Sequence, residues 1–249
     1  MDPIGVVNWH IGRCGSSVLG SLLAQHSAIG YSNEIFSPYM PRRRGNKALP
    51  DLAEVVAQAR CQQSCRFHLF EVKHLPAQNL GLYPGCSRED WLQRFIDLGC
   101  ERHLLMRRRN GLRRLLSHVR AANSGVYVAS IGDASPTEGV TIPLEAITHG
   151  FQSRSLVEWL EEYEQGHQQM AAALDQAGLT WLELSYEDHI ETSPMQAYAA
   201  VCRYLEIDLE TPELQHRKIN RGRLTDLIAN FDAVQAVLAP TRFAWMLED

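Results

Sequence analysis

Between Val7 and Leu23 the chain passes from an apolar run, Val7-Asn8-Trp9-His10-Ile11, through a polar turn, Gly12-Arg13-Cys14-Gly15-Ser16-Ser17, into a second apolar run. A strand that feeds a helix through such a turn builds an anion-binding loop. Gly12 and Gly15 let the backbone turn sharply and approach a ligand, and the first N–H groups of the helix have no partner within it. Arg13, Ser16 and Ser17 add one charge and two hydroxyl donors, which suits an oxyanion with several oxygens, a phosphate or a sulfate.

Three other readings of this turn fail on spacing. A nucleotide triphosphatase loop needs G-x-x-x-x-G-K-[ST], and no lysine occurs between Gly12 and Leu23. A cysteine phosphatase would, by resemblance, carry arginine six residues after Cys14, where this chain has Gly20. A G-x-S-x-G nucleophile elbow is absent, because the second residue after Ser17 is Leu19.

With 249 residues, 45% apolar and 21% charged, the chain is expected to bury one core as a single domain, 1–249. A net charge of -5 and a pI near 6.1 argue against a protein that binds long nucleic acids. No apolar run of membrane-spanning length occurs, and Met1-Asp2-Pro3 opens nothing like a signal peptide, so a cytoplasmic protein is expected. The six cysteines, at 14, 61, 65, 86, 100 and 202, form no disulfide framework and read as reduced thiols. Cys61, Cys65 and His68 make at most half of a zinc site, so no metal is expected.

Along the chain, strands are expected at 4–9, 67–73, 103–106 and 179–184, with helices at 17–25, 51–59, 89–98, 154–176 and 194–205. Ser87 is placed to cap the third of these helices, and Gly99 to end it. Residues 37–50 and 124–143 read as loops, the first of them mobile. Strands alternating with helices imply a mostly parallel sheet with its ligand site at the strands' carboxyl ends. The second strand-to-helix turn, after Met106, carries Arg107 to Arg109 and Asn110, so both polar turns can line one site.

These pieces together resemble the sulfotransferases that use 3'-phosphoadenylyl sulfate (PAPS), particularly the bacterial carbohydrate branch that includes trehalose sulfotransferase. Gly12-Arg13-Cys14-Gly15-Ser16-Ser17 is similar to the family's loop for the 5'-phosphosulfate, and Glu34-Ile35-Phe36 to the acidic segment after it. Arg109-Asn110, with Ser117 eight residues after the arginine, resembles the 3'-phosphate motif. Tyr186-Glu187-Asp188 before Pro194, and Asn230-Phe231-Asp232 with Thr241-Arg242-Phe243, resemble later family segments. Cys14 stands where serine is commoner, and Gly111 follows Asn110 where the cytosolic aryl enzymes have proline.

The resemblance implies an α/β, P-loop-like three-layer sandwich with helices on both faces of the sheet. It also implies PAPS as donor, leaving as 3'-phosphoadenosine 5'-phosphate (PAP), and a small hydroxylated acceptor. Gly12, Arg13, Cys14, Gly15, Ser16 and Ser17 would hold the 5' end, Arg109 and Ser117 the 3'-phosphate, and Arg217 and Lys218 would belong to a lid. Glu34 is the candidate general base, Arg13 would stabilise the leaving phosphate, and Lys73 could assist electrophilically. Arg107, Arg108, Arg113 and Arg114 read as a solvated face, and His167 as a core histidine. His10, beside the loop, is the alternative base. A small-molecule kinase, a non-catalytic nucleotide binder and an RNA-binding role for 107–114 remain the competing functions.

Overall fold

The computed structural model describes residues 3–45, 47–60, 65–127, 139–216 and 222–248, with the backbone alone at Arg42. In chain order the elements are β1 (Ile4–His10), α1 (Ser16–Leu23), β2 (Ile29–Glu34), α2 (Pro41–Arg44), α3 (Leu52–Ala59), β3 (Phe67–Lys73), α4 (Arg88–Asp97), β4 (Cys100–Arg107) and α5 (Gly111–Ser124). After these come β5 (Ile147–His149), β6 (Gln152–Arg154), α6 (Leu156–Gln176), β7 (Trp181–Ser185), α7 (Tyr186–His189), α8 (Pro194–Leu205), α9 (Leu224–Leu227) and α10 (Phe231–Leu238).

β1 occupies the centre of a five-stranded parallel sheet, ordered β2-β3-β1-β4-β7. Covered on both faces, β1 is buried without alternation from Gly5 to His10, which is why it reads as an unbroken apolar run. On one face Val6, Leu104 and Leu184 pack with Leu19 and Leu22 of α1 and Tyr198 and Val201 of α8. On the other, Val7, Trp9, Phe70 and Leu105 pack with Val55 of α3, Trp91 and Phe95 of α4, and Met170 and Leu174 of α6. Trp9 meets Trp91 and Phe95 edge to face at 5.5 and 5.1 Å, and its indole N–H donates to His103 Nδ1 at 3.1 Å. A third cluster closes the carboxyl end of the molecule, formed by α5, α6, α10 and the segment to Met246.

Local signals explain where the helices begin. Ser87 with Asp90, and Ser155 with Glu158, close reciprocal capping boxes on α4 and α6. The Asn110 side chain accepts from Arg113 N–H at the start of α5, and Pro194 opens α8.

Three expectations are corrected, and one unforeseen ribbon is added. The loop at 37–50 contains a 3-10 turn, Ser37–Tyr39, and the one-turn helix α2, each opened by a proline. β5 and β6 pair as an antiparallel ribbon of three residues each, too short for any periodicity to show. Helix α5 runs on to Ser124, the residue expected to open a loop, and Val140 bridges in parallel to Ile228. Arg108 and Arg114 are 9% and 0% exposed, so they are not part of a solvated face.

Residues 128–138 of the expected insertion, Cys61, and the lid candidates Arg217 and Lys218 lie outside the described residues. Cys14, Cys65, Cys86, Cys100 and Cys202 are free thiols. Among the described residues no helix is long and apolar enough to cross a membrane.

Candidate active site

The turn between β1 and α1 is built on left-handed backbone at Gly12 (φ 78°), Arg13 (φ 60°) and Gly15 (φ 89°). Glycine adopts this conformation freely, whereas for Arg13 it costs about 1 kcal/mol, a strain of the kind held at functional sites. Gly15 takes the N-cap position of α1 without any side-chain cap. Among the described residues no protein acceptor meets the N–H of Arg13, Cys14, Gly15, Ser16 or Ser17. Five successive unpaired donors at the positive end of a helix form a nest for an anion.

Three guanidinium groups surround this nest. Arg13 donates from Nε to Ser117 Oγ at 3.0 Å and from Nη1 to the Tyr127 carbonyl at 2.8 Å. The first bond ties the turn after β1 to helix α5, which the second polar turn opens. Arg114, fully buried, donates to the carbonyls of Gly12 and Ile11 and stacks on the Tyr163 ring at 3.8 Å. Arg108 lies over the Tyr186 ring at 4.2 Å. Among the described residues none of the three has a carboxylate within ion-pair distance. Burial, then the charges of Arg114 and Arg108, hold the Arg13 guanidinium below its ordinary pKa.

The acids lie on the other side of β1. Lys73 Nζ sits 2.7 Å from both carboxylate oxygens of Glu34, and its Cε packs against Gly12. The pair spans 39 residues of sequence, so the flanks of Glu34, which offer no cation, gave no sign of it. Burial, the largest single influence, pushes the Glu34 carboxyl up, but the charge and hydrogen bond of Lys73 together with the charges of His10 and Arg43 hold the group below its ordinary value.

Behind this pair runs a buried chain. Tyr31 OH donates to Glu71 Oε1 at 2.8 Å, Glu71 Oε2 lies 3.2 Å from His10 Nε2, and His10 Nδ1 accepts the Gly12 N–H at 2.9 Å. The last bond makes Nδ1 an acceptor and puts the ring proton on Nε2, facing Glu71. His10, Glu34 and Glu71 offer ligand atoms within 4.8 Å of one another. Lys73 already occupies Glu34 and Tyr31 occupies Glu71, so the cluster is a hydrogen-bonded charge network.

The remaining candidates are less central. Arg109 is 44% exposed at its side chain and forks onto both Asp188 oxygens at 2.7 Å, while Glu187 accepts the N–H groups of Arg109 and Asn110. His167 faces Glu183 at 3.4 Å, and burial, with Arg107 nearby, pushes its pKa down to about 4.

His74 is a residue the sequence reading missed. It follows Lys73 directly, is fully buried, and neither ring nitrogen has a hydrogen-bond partner. Burial, then Arg88, lowers its pKa well below 6.5 and keeps the ring neutral. It lines a cavity of about 280 Å³ with Tyr163, His167, Trp245 and Met246, which reaches the anion turn only at Ile11. A histidine set directly after a strand that ends in lysine was the available signal, hidden by the apolar Leu75-Pro76 that follows.

No protein-family model and no curated protein matches the chain. Among solved structures it is similar to a sulfotransferase from Alicyclobacillus acidocaldarius, with 16% identity and a TM-score of 0.51 over 100% of this chain and 95% of that one. The chain has a sulfotransferase-like fold. At this identity the likeness establishes the sheet and its helices, and the chemistry of the site rests on the residues described above.

Proposed function

We propose that the chain is a sulfotransferase that moves a sulfuryl group from PAPS to a hydroxyl of a carbohydrate or other small molecule. The observation that carries this reading is the set of three arginines, Arg108 and Arg114 buried and Arg13 half-buried, around five open N–H groups with no carboxylate within ion-pair distance among the described residues. Buried charges are normally paired, so such a set calls for a ligand carrying more than one negative charge. The likeness to a sulfotransferase fold supports sulfuryl transfer among the chemistries that such a ligand allows.

In this reading Arg13, Cys14, Gly15, Ser16 and Ser17 present their N–H groups to the 5'-phosphosulfate, Gly12 shapes the turn with its own N–H held by His10, and the Arg13 guanidinium offsets the charge that builds on the leaving phosphate. Glu34, an ionised carboxylate, accepts the proton of the acceptor hydroxyl as that oxygen bonds to sulfur and the bond from sulfur to the phosphate oxygen breaks. Lys73, bridging Glu34 and Gly12, moves its ammonium toward the transferring oxygens and so frees Glu34. Ser117, fixed by Arg13, supports the 3'-phosphate side.

The test is thermal stabilisation by nucleotide. PAP should raise the melting temperature by several degrees at about 100 times its Kd, a gain of about 2.7 kcal/mol, and magnesium-ATP should do far less. Equal stabilisation by ATP would replace the proposal with a kinase.

A further inference from the structure

Resting on the PAPS reading, the geometry points to Arg108, not Arg109, as the arginine that meets the second anionic group of the ligand. Arg109 is left as a clamp between the turn after β4 and the turn after β7.

The two neighbours differ in what already holds them. Both terminal nitrogens of Arg109 are spent on Asp188, and Asp188 is itself fixed by the Ser185 hydroxyl at 2.7 Å. The adjacent Glu187 takes two backbone N–H groups of the same turn. To reach a phosphate, Arg109 would have to give up a bidentate ion pair and leave Asp188 without its cation. Arg108 makes no ion pair with any described residue, and its Nε is buried without a hydrogen-bond partner.

Position separates them further. Side chains alternate along β4: Leu105 packs on the α6 face and Arg107 pairs with Glu183, whereas Leu104 and Met106 pack on the α1 face. Arg108 continues the second set, lying on Tyr186, whose helix α7 leads to Ile190. Ile190 lies so close to Gly15 that a Cβ there would stand 2.8 Å from its Cγ2, so this face of α7 borders the anion turn. Its place over the Tyr186 ring leaves the guanidinium only 9% exposed, with no ion pair to break before it donates a fork of N–H groups.

The experiment measures PAP affinity and, separately, the rise in melting temperature given by inorganic pyrophosphate. It uses the full chain and its Arg108→Ala, Arg108→Lys and Arg109→Ala variants. Arg108→Ala should weaken PAP by roughly 30- to 100-fold, the value of a charge-assisted pair, and by at least ten times more than Arg109→Ala does. Arg108→Lys keeps charge without the fork and should lose about tenfold; it is the variant to read if the alanine form does not fold.

A larger loss in Arg109→Ala than in Arg108→Ala, or unchanged affinity in Arg108→Lys, overturns the assignment. If PAP does not bind the unaltered chain but pyrophosphate stabilises it and not Arg108→Ala, the PAPS reading fails and the Arg108 site stands. Equal stabilisation of both by pyrophosphate, or none of either, overturns Arg108.

Discussion

Removing the Glu71 carboxylate tests whether the buried chain behind the anion turn bears load. In Glu71→Ala the Tyr31 hydroxyl loses its acceptor at 2.8 Å and the His10 ring loses the carboxylate 3.2 Å from its Nε2, in a site where Glu71 and His10 are 0% exposed. Each stranded buried donor costs about 1–3 kcal/mol, and the whole change falls in the range of about 3–5 kcal/mol measured when one partner of a buried polar pair is deleted. For a chain of this length that is a fall in melting temperature of roughly 6–20 °C.

Glu71→Gln keeps the shape and the acceptor for Tyr31 but sets an amide against His10, so it should cost only about 1–3 kcal/mol. Urea denaturation of both variants gives the two values. Because His10 Nδ1 holds the Gly12 N–H, anion affinity should fall in the same order as stability. Losses below 1 kcal/mol in Glu71→Ala, or equal losses in both variants, would refute the load-bearing chain.

Further outcomes follow from the same geometry. Glu34→Gln should lower turnover by roughly 100- to 10,000-fold while PAP affinity changes little, since it removes a proton acceptor and keeps the shape; near-normal turnover on a true acceptor would transfer the base role to His10 or His74. His103 titrates near 4 instead of 6.5, chiefly because it is buried, with its Nδ1 committed to Trp9. The unfolded chain therefore binds this proton first, and about 3 kcal/mol of stability present above pH 6.5 is lost between pH 6.5 and 4; denaturation midpoints that stay flat across that window would refute it. Glu34, held below its ordinary value, adds its own loss only at pH below about 4.5.

The parts of this molecule legible in the sequence are those fixed by neighbours in the chain. The Phe67–Lys73 strand is buried from Phe67 to Val72, and a compact apolar run announces it. The Ser87 box closes within four residues, and the turn after β1 displays both of its glycines. What stayed hidden depends on partners far away. Lys73 reaches Glu34 across 39 residues, and Asp188 reaches Arg109 across 79. In a run of three arginines the residue type is the same at each position; the strand's alternation and the acids on β7 and α7 decide which is paired and which is free. That decision belongs to tertiary structure, and no local pattern carries it.

The charges at the carboxyl edge are sorted by strand. On the side of β2 and β3 stand Glu34 and Glu71, and on the side of β4 and α5 stand Arg108 and Arg114, with the β1 turn and Arg13 at the boundary. In the proposed reading a polyanionic donor is repelled from the first side and held on the second, which drives its transferring group to the boundary, and a hydroxyl arriving from the β2 side would meet a carboxylate before it meets sulfur. Were the acid set among the arginines, it would neutralise them and leave the nest no net attraction for an anion. On the donor's approach Lys73 screens Glu34 from it, and in the proposed reading the later move of the ammonium toward the transferring oxygens frees the carboxylate for proton removal. The Lys73 ammonium, 2.7 Å from that carboxylate and packed on Gly12, sits where the two fields meet.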